Sequence, residues 1–249
     1  MNQPRFENQT HCLNCQTELL GEYCSTCGQK KVSTFTFRHV NMLLQSAVLD
    51  LESPFFKLFV GLLIRPFETI LGYLHGQRSR YGNPIKFSFI LLTVIVLASH
   101  FFGLSFISNY TLVEAKQQTG IKLYEATHVY RVFVLALLLG IASKAIYRHS
   151  TYTMLEYAIG HLLILTITIF LFVVPLMFGL LNEQLYAALS FIFSSTYSLI
   201  LNYKMDEHRQ NIWRAGLRAT IAYTLGTLTF SAITLFTIGV YTGLVGGMQ

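Results

Sequence analysis

The chain has 249 residues, of which 53% are hydrophobic, 14% aromatic and only 12% charged. A soluble domain carries about 25% charge, so this sequence lacks the polar surface such a domain needs, and a mean hydropathy of +0.48 excludes a disordered chain as well. The net charge of +6 would suit nucleic acid or a membrane surface, and its placement along the chain decides between them.

Residues 1–34 form a polar head with no apolar h-region and no small-residue cleavage site, so no signal peptide is expected and the first span serves as the insertion signal. The head holds all four cysteines, Cys12, Cys15, Cys24 and Cys27, spaced C-x2-C, eight residues, C-x2-C. A Cys-x-x-Cys turn aims two thiolates at one point and leaves backbone amides to hydrogen-bond the sulfurs. Two such turns offer four soft ligands to a tetrahedral ion, which suits zinc at about 2.3 Å per sulfur. Gly21 and Gly28 are expected to relieve the turns. Four ligands close the coordination shell, so the ion would be structural. A segment this short buries too little apolar surface to fold alone, and structural zinc contributes about 10–16 kcal/mol in comparable peptides. Two disulfides are the rival reading, disfavoured in a reducing compartment, and iron in the same all-sulfur geometry stays open. His11 and His39 flank the site as bystanders.

Residues 35–84 are rich in apolar residues, but Arg38, Asp50, Glu52, Lys57, Arg65 and Glu68 interrupt them too often for a span. Pro54 and Pro66 mark helix starts, Glu68 suits a first turn and Gly76 a C-terminal stop. The expectation is two or three amphipathic helices in the membrane interface, with a small soluble domain as the alternative. The stretch ends in "GQRSRYGNP" at 76–84, followed by Lys86. Arg78, Arg80 and Lys86 would gain from anionic headgroups and Tyr81 from the interfacial belt; a specific phosphate site is the rival reading.

Residues 85–249 contain five apolar stretches, near 85–107, 130–146, 157–181, 185–203 and 215–241. About 20 helical residues cross a hydrocarbon core. The second stretch is slightly short, and the fifth is long enough to tilt or break. Fifteen Lys and Arg fall on one side of this arrangement and three, Lys116, Lys122 and Arg131, on the other. The positive-inside rule then puts the N-terminus in the cytoplasm and the C-terminus outside.

Ionisable residues at membrane depth draw attention to Glu156, His161 and His100. Five residues place Glu156 and His161 about 140° apart on a helix, which argues against a shared relay; pairing of Glu156 with Arg148 or Lys144 is the simpler expectation. The "SSTYS" run at 194–198 and Pro175 could line a substrate path, although Ser and Thr more often join helices. Small residues at Ala215, Ala219, Ala222 and Gly226 predict close helix packing, within the bundle or in a homo-oligomer. No nucleophile elbow, P-loop or H-E-x-x-H motif is present, and nothing gives reason to propose an enzyme.

The head "CLNCQTELLGEYCSTCGQK", then "FTFRHV", then "RPFETILGYLHGQRSRYGNPIKF" leading into the first span, resembles the bacterial family catalogued as domain of unknown function 3667, over roughly residues 12–95. The resemblance implies a bacterial inner-membrane protein with metal ligands at Cys12, Cys15, Cys24 and Cys27. It brings no activity. The combined expectation is an all-α integral membrane bundle of about five spans with an N-terminal zinc ribbon and interfacial amphipathic helices. Its leading role is a docking or assembly component with a protein partner on the ribbon or bundle. The alternative is a transporter, channel or lipid-handling protein with the ribbon as a cap. A membrane-tethered nucleic-acid binder ranks lower, because only Lys30 and Lys31 adjoin the metal site and Glu18 and Glu22 lie within it.

Overall fold

The computed structural model of the protein describes residues 9–31, 53–102, 128–206 and 212–246. Among the described residues the chain is helical outside the turns of the head, and no strand forms. The helices are α1 (Ser53–Ile64), α2 (Pro66–Leu74), α3 (Arg78–Tyr81), α4 (Pro84–Phe101), α5 (His128–Ile146), α6 (Met154–Met177), α7 (Glu183–Met205) and α8 (Ile212–Gly246). The first part of the expected interfacial stretch and most of the loop expected at 108–129 lie outside the described residues.

Local chemistry sets the helix ends. Pro66 opens α2 with Glu68 in its first turn, and Arg65 pairs with Glu68 across the joint to α1 at 3.4 Å. Gly76 stops α2 at a φ of 109°, a conformation that side-chain-bearing residues rarely adopt. The Asn83 carboxamide accepts hydrogen bonds from the amides of Ile85 and Lys86 and so caps α4. At the start of α6, Thr153 and Glu156 form a reciprocal capping box: Thr153 N donates to Glu156 Oε2 at 2.7 Å, and Glu156 N donates to Thr153 Oγ1 at 3.3 Å. Asn182 caps α7 by accepting from the amide of Leu185.

α6 is the central helix. It packs against α4, α5 and α7, and Tyr157, Leu163, Ile164 and Ile167 along it are fully buried. Glycines permit the closest approaches. A Cβ on Gly140 of α5 would lie 2.7 Å from the Ala158 Cβ of α6, and one on Gly226 of α8 would lie 2.6 Å from Leu139 of α5. Ala215, Ala219 and Ala222 of α8 are buried as well, so the small-residue face expected for close packing is used inside the bundle.

The short helices join the same core. Leu58 and Leu62 of α1 and Ile70, Tyr73 and Leu74 of α2 belong to one buried cluster with residues of α6. Phe59 meets Phe170 edge to face at 5.1 Å. α1 nevertheless leaves Phe56, Val60 and Ile64 exposed. A helix apolar on both its packed and its open side suits a surface that meets lipid.

Exposed apolar side chains also run along the long helices: Val94, Leu97 and Phe101 on α4, Phe191 and Ile192 on α7, and Leu228 and Phe236 on α8. Water would oppose so extensive an apolar surface, and lipid tails accept it. Among the described residues, three helical segments, Arg78–Phe101, Met154–Met177 and Gln184–Met205, are long and apolar enough to cross a bilayer. The protein is an integral membrane protein. The second and fifth apolar stretches are helical too, and the fifth forms one unbroken helix of 35 residues.

Candidate metal centre and its seat on the helices

The head is built from one turn used twice, twelve residues apart. Cys12 N donates to Thr17 O and Gln16 N to Cys12 O; Cys24 N donates to Gln29 O and Gly28 N to Cys24 O. Isolated bridges pair His11 with Glu18 and Tyr23 with Lys30 in the same register. The tight corner of each turn has a positive φ, 64° at Gln16 and 69° at Gly28. Gly28 therefore does what the sequence suggested, whereas Gly21 does not: it lies in the connection between the turns, and Gln16 takes the matching strained position.

The two turns bring the four cysteines together as free thiols, with their sulfurs all within 4.8 Å of one another. Cys12 Sγ lies 3.5 Å from Cys27 Sγ, and Cys15 Sγ lies 3.4 Å from Cys24 Sγ. A tetrahedron with metal–sulfur bonds of about 2.3 Å has edges of about 3.8 Å, close to these separations. Cys12 and Cys24 are buried, while Cys15 and Cys27 keep partial access to solvent.

Local hydrogen bonds favour the charged sulfurs that a metal requires. The hydroxyl and backbone amide of Thr17 lower the Cys15 thiol to about 6. Burial pushes Cys27 up, but the Gln29 backbone and the Asn14 side chain bring it below the ordinary thiol value. Burial dominates at Cys12 and pushes it up to about 11; a bound cation would act in the opposite sense. The donor set is soft, convergent and fourfold, and it could hold one metal ion.

The head does not hang free. Gln29 is 5% exposed, and its side chain bonds to the loop after α2 and to the first turn of α3. Its Nε2 donates to Gly76 O at 2.8 Å, and its Oε1 accepts from Ser79 N at 3.1 Å and Ser79 Oγ at 2.9 Å. Leu13 packs directly over Gly76, so closely that a Cβ there would collide with it. Neither Gln29 nor Leu13 stood out in the sequence. The only signal was their adjacency to the cysteines, which does not show what lies across from them.

The remaining expected site residues are dispersed. Arg78, Arg80 and Tyr81 form the short helix α3 instead of a loop. Tyr81 is largely buried and belongs to the hydrophobic core, and the Arg80 guanidinium lies over its ring at 5.4 Å. Lys86 is half-buried in the first turn of α4, and His100 is exposed in the last turn of that helix.

Glu156 is buried and takes part in the capping box, and Lys144 Nζ donates to Ser150 O at 2.9 Å. His161 is buried where three helices meet, 3.1 Å from Ser143 Oγ of α5 and 3.3 Å from Ser198 Oγ of α7. Ser194 of α7 likewise meets the Tyr223 hydroxyl of α8 at 3.3 Å. These hydroxyls join helices, as polar residues in membrane bundles do.

Fold and head together define a class: an all-helical membrane protein carrying a four-cysteine group able to hold a metal ion. Residues 52–96, from the start of α1 into α4, match the family described as Protein of unknown function (DUF3667), which bears out the family resemblance. The match covers the helices that carry the seat and stops short of the cysteines. No curated protein and no solved structure matches the chain.

Proposed function

We propose that the protein is a docking or assembly component of a bacterial inner membrane, with a structural zinc ion in a cytoplasmic ribbon and five crossings that leave the C-terminus outside. The observation that carries this reading is the way the head is mounted. Gln29 and Leu13 fix one side of it on the helical base, while Leu20 and Tyr23, 91% and 61% exposed, stand on the open side. A metal-stapled knuckle held on a membrane platform offers a protein partner a rigid apolar contact.

Charge argues against nucleic acid as that partner. Residues 9–31 balance Lys30 and Lys31 with Glu18 and Glu22, and zinc with four thiolates adds a formal charge of about −2. Lys30 is moreover paired with Glu22 at 3.8 Å.

Affinity purification from native membranes tests the reading, comparing wild type with a variant in which Cys12, Cys15, Cys24 and Cys27 are Ser and with L20A/Y23A. One zinc per wild-type chain, and a partner lost from both variants, is the expected result. A partner list identical in all three preparations would overturn the docking role.

A second reading, lipid or solute handling, is favoured by a cavity at the ends of α5 and α7. Its lining does not include the 194–198 Ser/Thr run of α7, the path the sequence offered for that reading.

A further inference from the structure

A cavity of about 620 Å³ opens where α5 ends, between the turn at 147–150, the C-terminus of α7 and the first turns of α8. Its size is that of a small-ligand site. Arg148, His149 and Arg218 line it together with Tyr147, Ser150 and Asp206. The two arginines and the histidine are exposed, whereas Asp206 is 5% exposed. The charges are thus layered: cationic at the accessible edge, and a carboxylate deeper in. Tyr147 lines the same cavity as Asp206 and Arg218.

The walls are built. Tyr157 donates to Ser150 Oγ at 3.1 Å, Tyr152 N donates to the same oxygen at 3.2 Å, and Tyr147 donates to Ala215 O at 3.4 Å. Lys144 is engaged with the Ser150 carbonyl. The turn is fixed to α6 and α8, and its arginines face a preformed space.

Two guanidinium forks match the oxygens of a phosphate ester. A buried carboxylate beside them matches an ammonium group attached to that ester by a short linker. Apolar helices end at this level, Ile146 closing α5 and Met205 closing α7, which is the depth of lipid headgroups. We propose that this cavity binds the phosphoethanolamine headgroup of a membrane lipid, with phosphate on Arg148 and Arg218 and the ammonium on Asp206. The assignment supplies a ligand for the second reading above, and it holds whether or not the head docks a partner.

Native mass spectrometry of the full-length protein in detergent, offered equal amounts of phosphatidylethanolamine, phosphatidylglycerol and phosphatidylcholine, tests it. Wild type is expected to retain phosphatidylethanolamine about tenfold over the other two. D206N should abolish that preference, R148Q/R218Q should weaken retention of all three, and R65Q, in the exposed pair on α1 and α2, should change nothing. Competition on wild type needs no variant: excess glycerophosphoethanolamine should displace the lipid, and inorganic phosphate should do so far less. Equal retention of phosphatidylglycerol and phosphatidylethanolamine by wild type would overturn the proposal, as would displacement by inorganic phosphate alone. Glycerophosphoethanolamine binding as tightly as the lipid would make the ligand a soluble ester and overturn the lipid assignment.

Discussion

Gln29 concentrates more consequence than any other single side chain of the head. It is uncharged, lies two residues from a cysteine, and makes three hydrogen bonds, one to Gly76 after α2 and two to Ser79 of α3. Truncating it leaves the Gly76 carbonyl and the Ser79 donors without that partner, a cost of about 1–3 kcal/mol. Q29A is therefore expected to keep one metal per chain while the head becomes more accessible, seen as faster amide exchange at residues 76–79 and faster metal loss to a chelator. Unchanged exchange there would mean that the contact contributes nothing to holding the head. G76A should act on the same joint from the other side, because it combines a φ of 109° with a collision against Leu13.

At the level of elements, the bundle depends on two close approaches of α5. Adding a side chain at Gly140 would meet not only the Ala158 methyl but also the Ala158 amide and the Met154 carbonyl at 2.8 Å. Backbone cannot rotate away, so α5 and α6 must separate. G140V should lower the midpoint of thermal unfolding in detergent, with a loss of about 1–3 kcal/mol, while leaving metal content untouched. The capping box makes a smaller and separable contribution. T153A removes the acceptor of the Glu156 amide and should cost about 1 kcal/mol. Because α6 is the central helix, that cost is expected in the global unfolding midpoint, not only as local fraying.

For the molecule as a whole, head and helices draw on different sources of stability. The head has few buried apolar residues and four convergent sulfurs, whereas the helices share two buried apolar clusters that together draw on α1 to α8. Serine at all four cysteine positions should abolish metal binding and disorder the head while far-UV circular dichroism stays helical; a collapse of helical signal would show that the metal supports the bundle as well. This division explains what was legible in the sequence. Apolar run length exposed the long helices, and cysteine spacing exposed the convergent thiols, because both signals are local and one-dimensional. The seat of the head was not legible, since Gln29 and Ser79 are ordinary polar residues whose meeting depends on a long-range fold. The burial of Tyr81 was not legible for a related reason: an aromatic beside two arginines does not show in sequence which side chains will pack over it. The layered charges around Asp206 were hidden likewise, for Arg148 and Arg218 lie 70 positions apart and meet through the association of α5 with α8.

The contact at Gln29 joins two parts of one chain. Residues 32–52 connect the head to α1, and roughly 20 residues reach no further than about 70 Å even when fully extended. Association of the head with its base is therefore unimolecular and insensitive to dilution. Three hydrogen bonds and one leucine contact would scarcely hold two separate proteins together at cellular concentrations, but a tether makes the same contact effective by keeping its halves within reach. A ligand that prefers the Gln29 side of the head must outcompete this covalently supplied neighbour, and one that reads the Leu20 side need not. The chain thus ranks its own surfaces by the competition each faces.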